Sequence, residues 1–236
     1  MDTLIEHNIN EYNKKEETAY LFRKDHQLRG DVAIEMISEV IKKNKNQKFL
    51  SIACSIGVIE EKIIKKLGLT VYGIDGAKDA LKEAKKRGVI TKLGDVSKSL
   101  PYEDGYFDFV FAGEIIEHLL DTKSFLNEIN RVLKPSGYLV ITTPNLARVD
   151  DRIKFLFGKT PRHATPIHPY LYLHIRPFTF DSLKKVLKLC GFDEIALRSH
   201  IVAIEFNNQK NCFYSRFLAK IFPTFGATLI VRARKI

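Results

Sequence analysis

Glu114, Glu117 and His118 stand three and four residues apart, a spacing that places all three on one face of a helical turn. His174 follows far downstream, in the stretch LHIRPFT. Two carboxylates and two imidazoles can take a proton from a hydroxyl. They can also form an octahedral donor set that leaves positions open for an acceptor oxygen. A second group lies upstream. The run Ala53, Cys54, Ser55, Ile56, Gly57 is a turn of small residues that lets backbone approach a ligand. Asp75 comes about 20 residues after this turn, the place from which a carboxylate accepts the hydroxyls of a ribose. Asp95 follows a third apolar run.

The elements that must position these groups are legible from alternation. An amphipathic helix is expected over residues 32–43. Strands are expected at 48–53, 70–75, 89–93, 107–112 and 138–143, and helices at 58–67, 77–87 and 121–133. Pro135 and Gly137 end the last of these helices, and Pro144 cuts off the fifth strand. Alternation lapses, then resumes with a helix at 180–190 and strands near 193–202 and at 228–234. This rhythm gives an α/β fold, a doubly wound and mostly parallel sheet with helices on both faces. Ligands bind such sheets outside the carboxyl ends of the strands, where the small-residue turn, Asp75 and Asp95 all fall. The residues alone specify a nucleoside-containing cofactor and leave NAD and S-adenosylmethionine undecided.

The run FLSIACSIG, VYGID, GDVSKSLPYEDGYFDFVFAGEIIEHLLD and FLNEINRVLKPSGYLVITTPN resembles the class I S-adenosylmethionine-dependent methyltransferases, in their small-molecule branch. The closing LIVRARK resembles that family's antiparallel last strand, and HIRPFTFDSLKKVLKLCGF its helix before strand six. The resemblance implies a seven-stranded sheet in a single domain over residues 1–236. It implies that Ala53, Cys54, Ser55 and Gly57 face the methionine part of S-adenosylmethionine, with S-adenosylhomocysteine as product. Asp75 would bind the ribose and Gly76 would lie under the adenine edge. Asp95 and Val96 would read the adenine, while Ala112, Gly113 and Glu114 would close the amino-acid end. Ser51 stands where the family usually has an acidic residue, which implies weaker cofactor binding.

The Glu-x-x-Glu-His stretch with its later histidine is similar to two metal-assisted subfamilies, the ubiquinone-biosynthesis O-methyltransferases and the small-RNA 2′-O-methyltransferases. Glu117, His118 and His174 are therefore the candidate catalytic residues. A divalent metal is compatible with them but is not the favoured reading. His163 and His168 fall in the same insertion, where a histidine is expected to be merely solvated.

Composition narrows the partners. The chain has 236 residues, 45% apolar, enough for a sizeable core. Three cysteines at no metal-like spacing give neither a disulfide framework nor a zinc pattern. The acidic, polar opening residues do not read as a secretory signal, and no apolar run reaches membrane-spanning length, so a cytoplasmic location is expected. Net charge is +10, and the whole excess lies in residues 146–236, which hold 16 basic and 6 acidic side chains.

Residues 1–47 read as a helical extension, and 146–178 and 203–226 as insertions forming a substrate cap. Residues 152–159 and 211–222 mix basic and large apolar side chains; the second stretch reads as an amphipathic helix. A small-molecule or lipid-linked acceptor, methylated at oxygen, is the leading expectation, with peripheral membrane contact as its corollary. An RNA substrate ranks lower because no stacking platform or RNA-binding module is apparent. A non-catalytic S-adenosylmethionine-binding protein is the third reading.

Overall fold

The structure, a computed structural model, describes residues 21–41, 46–162, 174–206 and 211–236. His163, His168 and parts of the N-terminal extension and of both insertions lie outside the described residues.

Helix α1 (Lys24–Ser38) precedes β1 (Lys48–Ile52), α2 (Val58–Leu67), β2 (Thr70–Asp75), α3 (Lys78–Lys86) and β3 (Ile90–Leu93). Then come β4 (Phe107–Gly113), a 3-10 turn (Ile116–His118), α4 (Thr122–Val132), β5 (Leu133–Pro144) and α5 (Val149–Leu156). The chain closes with α6 (Phe180–Leu189), β6 (Phe192–Arg198), β7 (Val202–Phe206), β8 (Asn211–Ser215), α7 (Arg216–Ile221), a 3-10 turn (Pro223–Phe225) and β9 (Thr228–Lys235).

Seven strands form one sheet in the order β3-β2-β1-β4-β5-β9-β6. Only β9 runs against its neighbours, pairing antiparallel with both β5 and β6. The expected fold class is therefore the observed one. Successive residues of β4 serve opposite faces. Val110 and Ala112 join the core covered by α4 and α6, while Phe109 and Phe111 join the core covered by α1, α2 and α3. Both faces are buried, which is why these strands read as nearly continuous apolar runs.

Four expectations need correction. The first helix begins at Lys24, ahead of the expected residue 32, and ends at Ser38. Strand β5 starts at Leu133, because the residues around Ser136 (φ 63°) form an irregularity within the strand; the pairing with β4 shifts there. The strand expected near residues 193–202 is two: β6 stops at Arg198, and β7 pairs with β8 in a separate hairpin. The amphipathic helix expected over residues 211–222 is strand β8 followed by the six-residue α7.

Gly57 fixes the approach of α2 to α3. Its φ is 77°, and a Cβ there would lie 2.9 Å from the Ala84 Cα. Gly68 is also left-handed (φ 65°), but a Cβ there meets nothing within 4 Å. Gly57→Ala is therefore expected to cost about 3 kcal/mol in urea unfolding, against about 1 kcal/mol for Gly68→Ala. Equal losses would contradict the close approach.

Candidate active site

The carboxyl end of β1 leads into a tightly bonded turn. The Ala53 and Cys54 N–H groups donate to the Ile74 carbonyl at 2.8 and 3.3 Å, and Gly57 N–H closes onto the Cys54 carbonyl at 3.0 Å. Ala53 (φ 57°) and Ser55 (φ 47°) hold left-handed conformations without being glycine. Such backbone persists where its surroundings over-determine it. Asp75 supplies that determination. Its Oδ2 accepts from Ser55 N–H and its Oδ1 from Ala77 N–H, both at 2.8 Å. Burial pushes this carboxyl up, and those backbone bonds oppose the shift. Each oxygen keeps a second lone pair for a ribose hydroxyl. The turn's small side chains and the α2 N-terminus thus fit a nucleoside cofactor.

Gly76 is half-buried beside Asp75. Asp95 Oδ1 accepts from the N–H and hydroxyl of Ser97, at 2.9 and 2.6 Å, and Lys98 Nζ lies 3.4 Å from its Oδ2. Burial raises this carboxyl, but the Ser97 and Lys98 contacts prevail and hold it below the usual range. Val96 is half-buried against the sheet core.

A carboxyl that sequence reading missed sits against Ser51. The Ser51 hydroxyl donates to Glu60 Oε1 at 2.5 Å, and Glu60 is 3% exposed. Burial drives Glu60 up to about 7. An acidic group from helix α2 thus lies against Ser51, where the family resemblance implies a strand carboxylate. The signal was present in α2, where Glu60 shares the buried stripe with Ile63.

At the end of β4, Ala112 is buried and Gly113 half-buried. Glu114 turns left-handed (φ 52°), which removes it from the expected helical face. Its carboxylate pairs with Arg29 of α1 at 3.0 Å and accepts from the Thr142 hydroxyl at 2.9 Å. The four-residue constellation is therefore three. Glu117, His118 and His174 bring one ligand atom each within 4.8 Å of one another. The His118 and His174 rings meet edge to face at 4.8 Å, and His118 Nε2 lies 3.9 Å from Glu117 Oε1. Thr143 donates to Glu117 Oε2 at 3.0 Å. Burial, then the neighbouring Glu114, raises Glu117 well above the carboxylate range. Arg176 fixes the segment carrying His174, since its N–H donates to the Glu117 carbonyl and its guanidinium to the Leu120 carbonyl.

Two further histidines adjoin this mouth unannounced by any motif. His26 lies 2.9 Å from the Arg29 guanidinium, and burial, then Arg29, lowers it to about 4. His200, 6% exposed after β6, is lowered to about 3 by the same two causes in the same order. Lowered histidines lose stability as pH falls below their unfolded value near 6.5. Raised Glu60 and Glu117 lose it as pH rises from about 4.5 toward their folded values. Between pH 5 and 6.5 Glu60 and the two lowered histidines therefore act in opposite directions. Relative to wild type, Glu60→Gln should then lose roughly 1.4 kcal/mol per unit as pH falls through that window, and His200→Asn should gain as much. Parallel urea unfolding curves at several pH values check this; unchanged slopes in both variants would contradict the assignment.

Comparison with known proteins bears on this geometry. Residues 50–141 match the family model described as a methyltransferase domain. A Mycobacterium tuberculosis protein named as a probable S-adenosylmethionine-dependent methyltransferase is 38% identical, over 42% of this chain and 31% of its own length. The demethylmenaquinone methyltransferase of Staphylococcus saprophyticus is 30% identical, over 64% of this chain and 72% of its own. The chain belongs to the class I S-adenosylmethionine-dependent methyltransferases. Within that family it is also 31% identical to a ubiquinone biosynthesis O-methyltransferase of Bartonella tribocorum, over 42% of each chain. The chain spans about a third of the length of the mycobacterial relatives it matches. Among solved structures, an S-adenosylmethionine-dependent methyltransferase of Thermotoga maritima superposes over 100% of both chains, with a TM-score of 0.66 at 18% identity. The [4+2]-cyclase SpnF superposes over 87% of this chain and 80% of its own, with a TM-score of 0.60 at 18% identity. These two likenesses concern the fold. A cyclase on the same methyltransferase-type sheet shows why the chemistry must be argued from the site.

Proposed function

We propose that this chain transfers a methyl group from S-adenosylmethionine to an oxygen of a small-molecule or lipid-linked acceptor. The observation that carries the reading is the grouping of Glu117, His118 and His174 just past the carboxyl end of β4. S-adenosylmethionine, when bound, supplies an electrophilic methyl on a sulfonium. The turn at residues 53–57 and Asp75 hold its methionine and ribose parts, while Asp95 and Val96 read the adenine. Gly76 would adjoin the adenine, and Ala112, Gly113 and Glu114 would close the amino-acid end.

A hydroxyl acceptor must lose its proton as the new bond forms. One of the paired imidazoles, His118 or His174, takes it. In His118 the resulting positive charge lies beside the Glu117 carboxyl and favours its ionisation. The same three groups would serve as ligands of a divalent cation, which lowers the pKa of a coordinated hydroxyl; this is the less favoured alternative.

The test is transfer of labelled methyl to a polyprenylated phenol, with and without a chelator. A labelled ether formed in chelator supports the base reading, and rescue by magnesium or manganese supports the metal. Transfer to RNA alone, with steep salt dependence, would overturn the small-acceptor reading. Cofactor binding without transfer to any acceptor would make the protein a non-catalytic relative.

A further inference from the structure

Both insertions present large apolar side chains to solvent on adjoining elements. At the end of α5, Phe155, Leu156 and Phe157 are 70%, 84% and 76% exposed. On α7 and just after it, Phe217, Ile221 and Phe222 are 71%, 50% and 49% exposed. The two elements are tied together. The Arg152 guanidinium of α5 lies 4.7 Å from the Phe225 ring and donates to the Thr224 carbonyl at 3.0 Å. The Phe225 ring in turn stacks on Phe222 at 5.7 Å. Asn145, the first residue past β5, binds the same turn by donating to the Thr224 and Gly226 carbonyls at 2.9 and 2.8 Å. The apolar face therefore sits at the carboxyl end of the sheet, on the side where the candidate site opens.

Charge identifies the occupant. Residues 152–162 and 211–226 contain six basic side chains and no carboxylate. Lys159, Arg216 and Lys220 are exposed around the apolar groups. Lys154 is paired with Asp150 and Asp151 of the same helix, and the exposed basic side chains around the aromatic and aliphatic ones complement a surface that is anionic outside and apolar beneath.

We infer that the α5–α7 face docks on an anionic lipid bilayer and turns the mouth of the site toward it. The six-residue α7 and the end of α5 lie in the interface rather than cross it; no described helix is long and apolar enough to span a membrane. The inference goes beyond the methyl-transfer reading and does not rest on it, since vesicle binding reads the surface and cofactor titration reads the crevice.

The experiment is co-sedimentation of the full chain with phosphatidylcholine vesicles, with and without phosphatidylglycerol. Binding is expected to the anionic vesicles and to weaken with added salt. Phe155→Ser combined with Phe217→Ser should reduce it at least about tenfold. Lys159→Ala, Arg216→Ala and Lys220→Ala together should reduce it roughly 100-fold, at about fivefold per basic residue, and should weaken its dependence on phosphatidylglycerol. All variants should keep their affinity for S-adenosylmethionine, which shows that they fold. Three results would overturn the inference: no binding to either vesicle, unchanged binding in both variants, or a self-association that the phenylalanine pair abolishes in place of vesicle binding.

Discussion

Asp75→Asn is expected to weaken S-adenosylmethionine binding at least about 100-fold. Both carboxylate oxygens of Asp75 accept a backbone N–H at 2.8 Å, one from Ser55 and one from Ala77. An amide can match only one of those donors, because its NH2 would face the other. The lost charge-assisted bond is worth about 1.5–3 kcal/mol, and the turn loses what holds Ser55 in its left-handed conformation. In the proposed site the ribose hydroxyls lose half of their acceptor at the same time. Equilibrium dialysis with labelled cofactor measures the effect. Affinity within threefold of wild type would remove Asp75 from the cofactor site, about 0.6 kcal/mol being too little for either loss.

His118→Asn is expected to lower kcat by roughly 100- to 10,000-fold while the KM for S-adenosylmethionine holds. The asparagine keeps a polar side chain, smaller than imidazole, but cannot take a proton at neutral pH. A purely structural histidine would behave differently, since its loss would destabilise the 3-10 turn and raise KM along with any fall in kcat. Raising the pH should restore part of the rate in the variant, because an ionised acceptor hydroxyl needs no base. A kcat within threefold of wild type would end the base reading for this residue.

The elements of the cofactor half of the candidate site were legible in the sequence because they are local. Helix α2 and strand β2 lie where alternation places them, since Gly57 and Gly68 bracket the helix with left-handed caps. The acceptor half was only partly legible, because long-range contacts decide it. Glu114 looked like the first member of a helical face, yet Arg29 from a distant helix and Thr142 from the neighbouring strand turn it away. Helix α1 was expected to start after Gly30, a residue that discourages helices. Here the missing Cβ lets the Ile59 side chain approach, since a Cβ at residue 30 would lie 3.2 Å from it. Glu60 and His200 carry no local motif. Each becomes a site residue only when the sheet brings the ends of its strands together.

Cofactor identity is the claim on which the proposed function depends, and calorimetric titration of the unmodified chain tests it most directly. Saturable heats with S-adenosylmethionine and S-adenosylhomocysteine, and none with NAD, are the expected result. Heats with NAD, or none with either sulfur nucleoside, would contradict it.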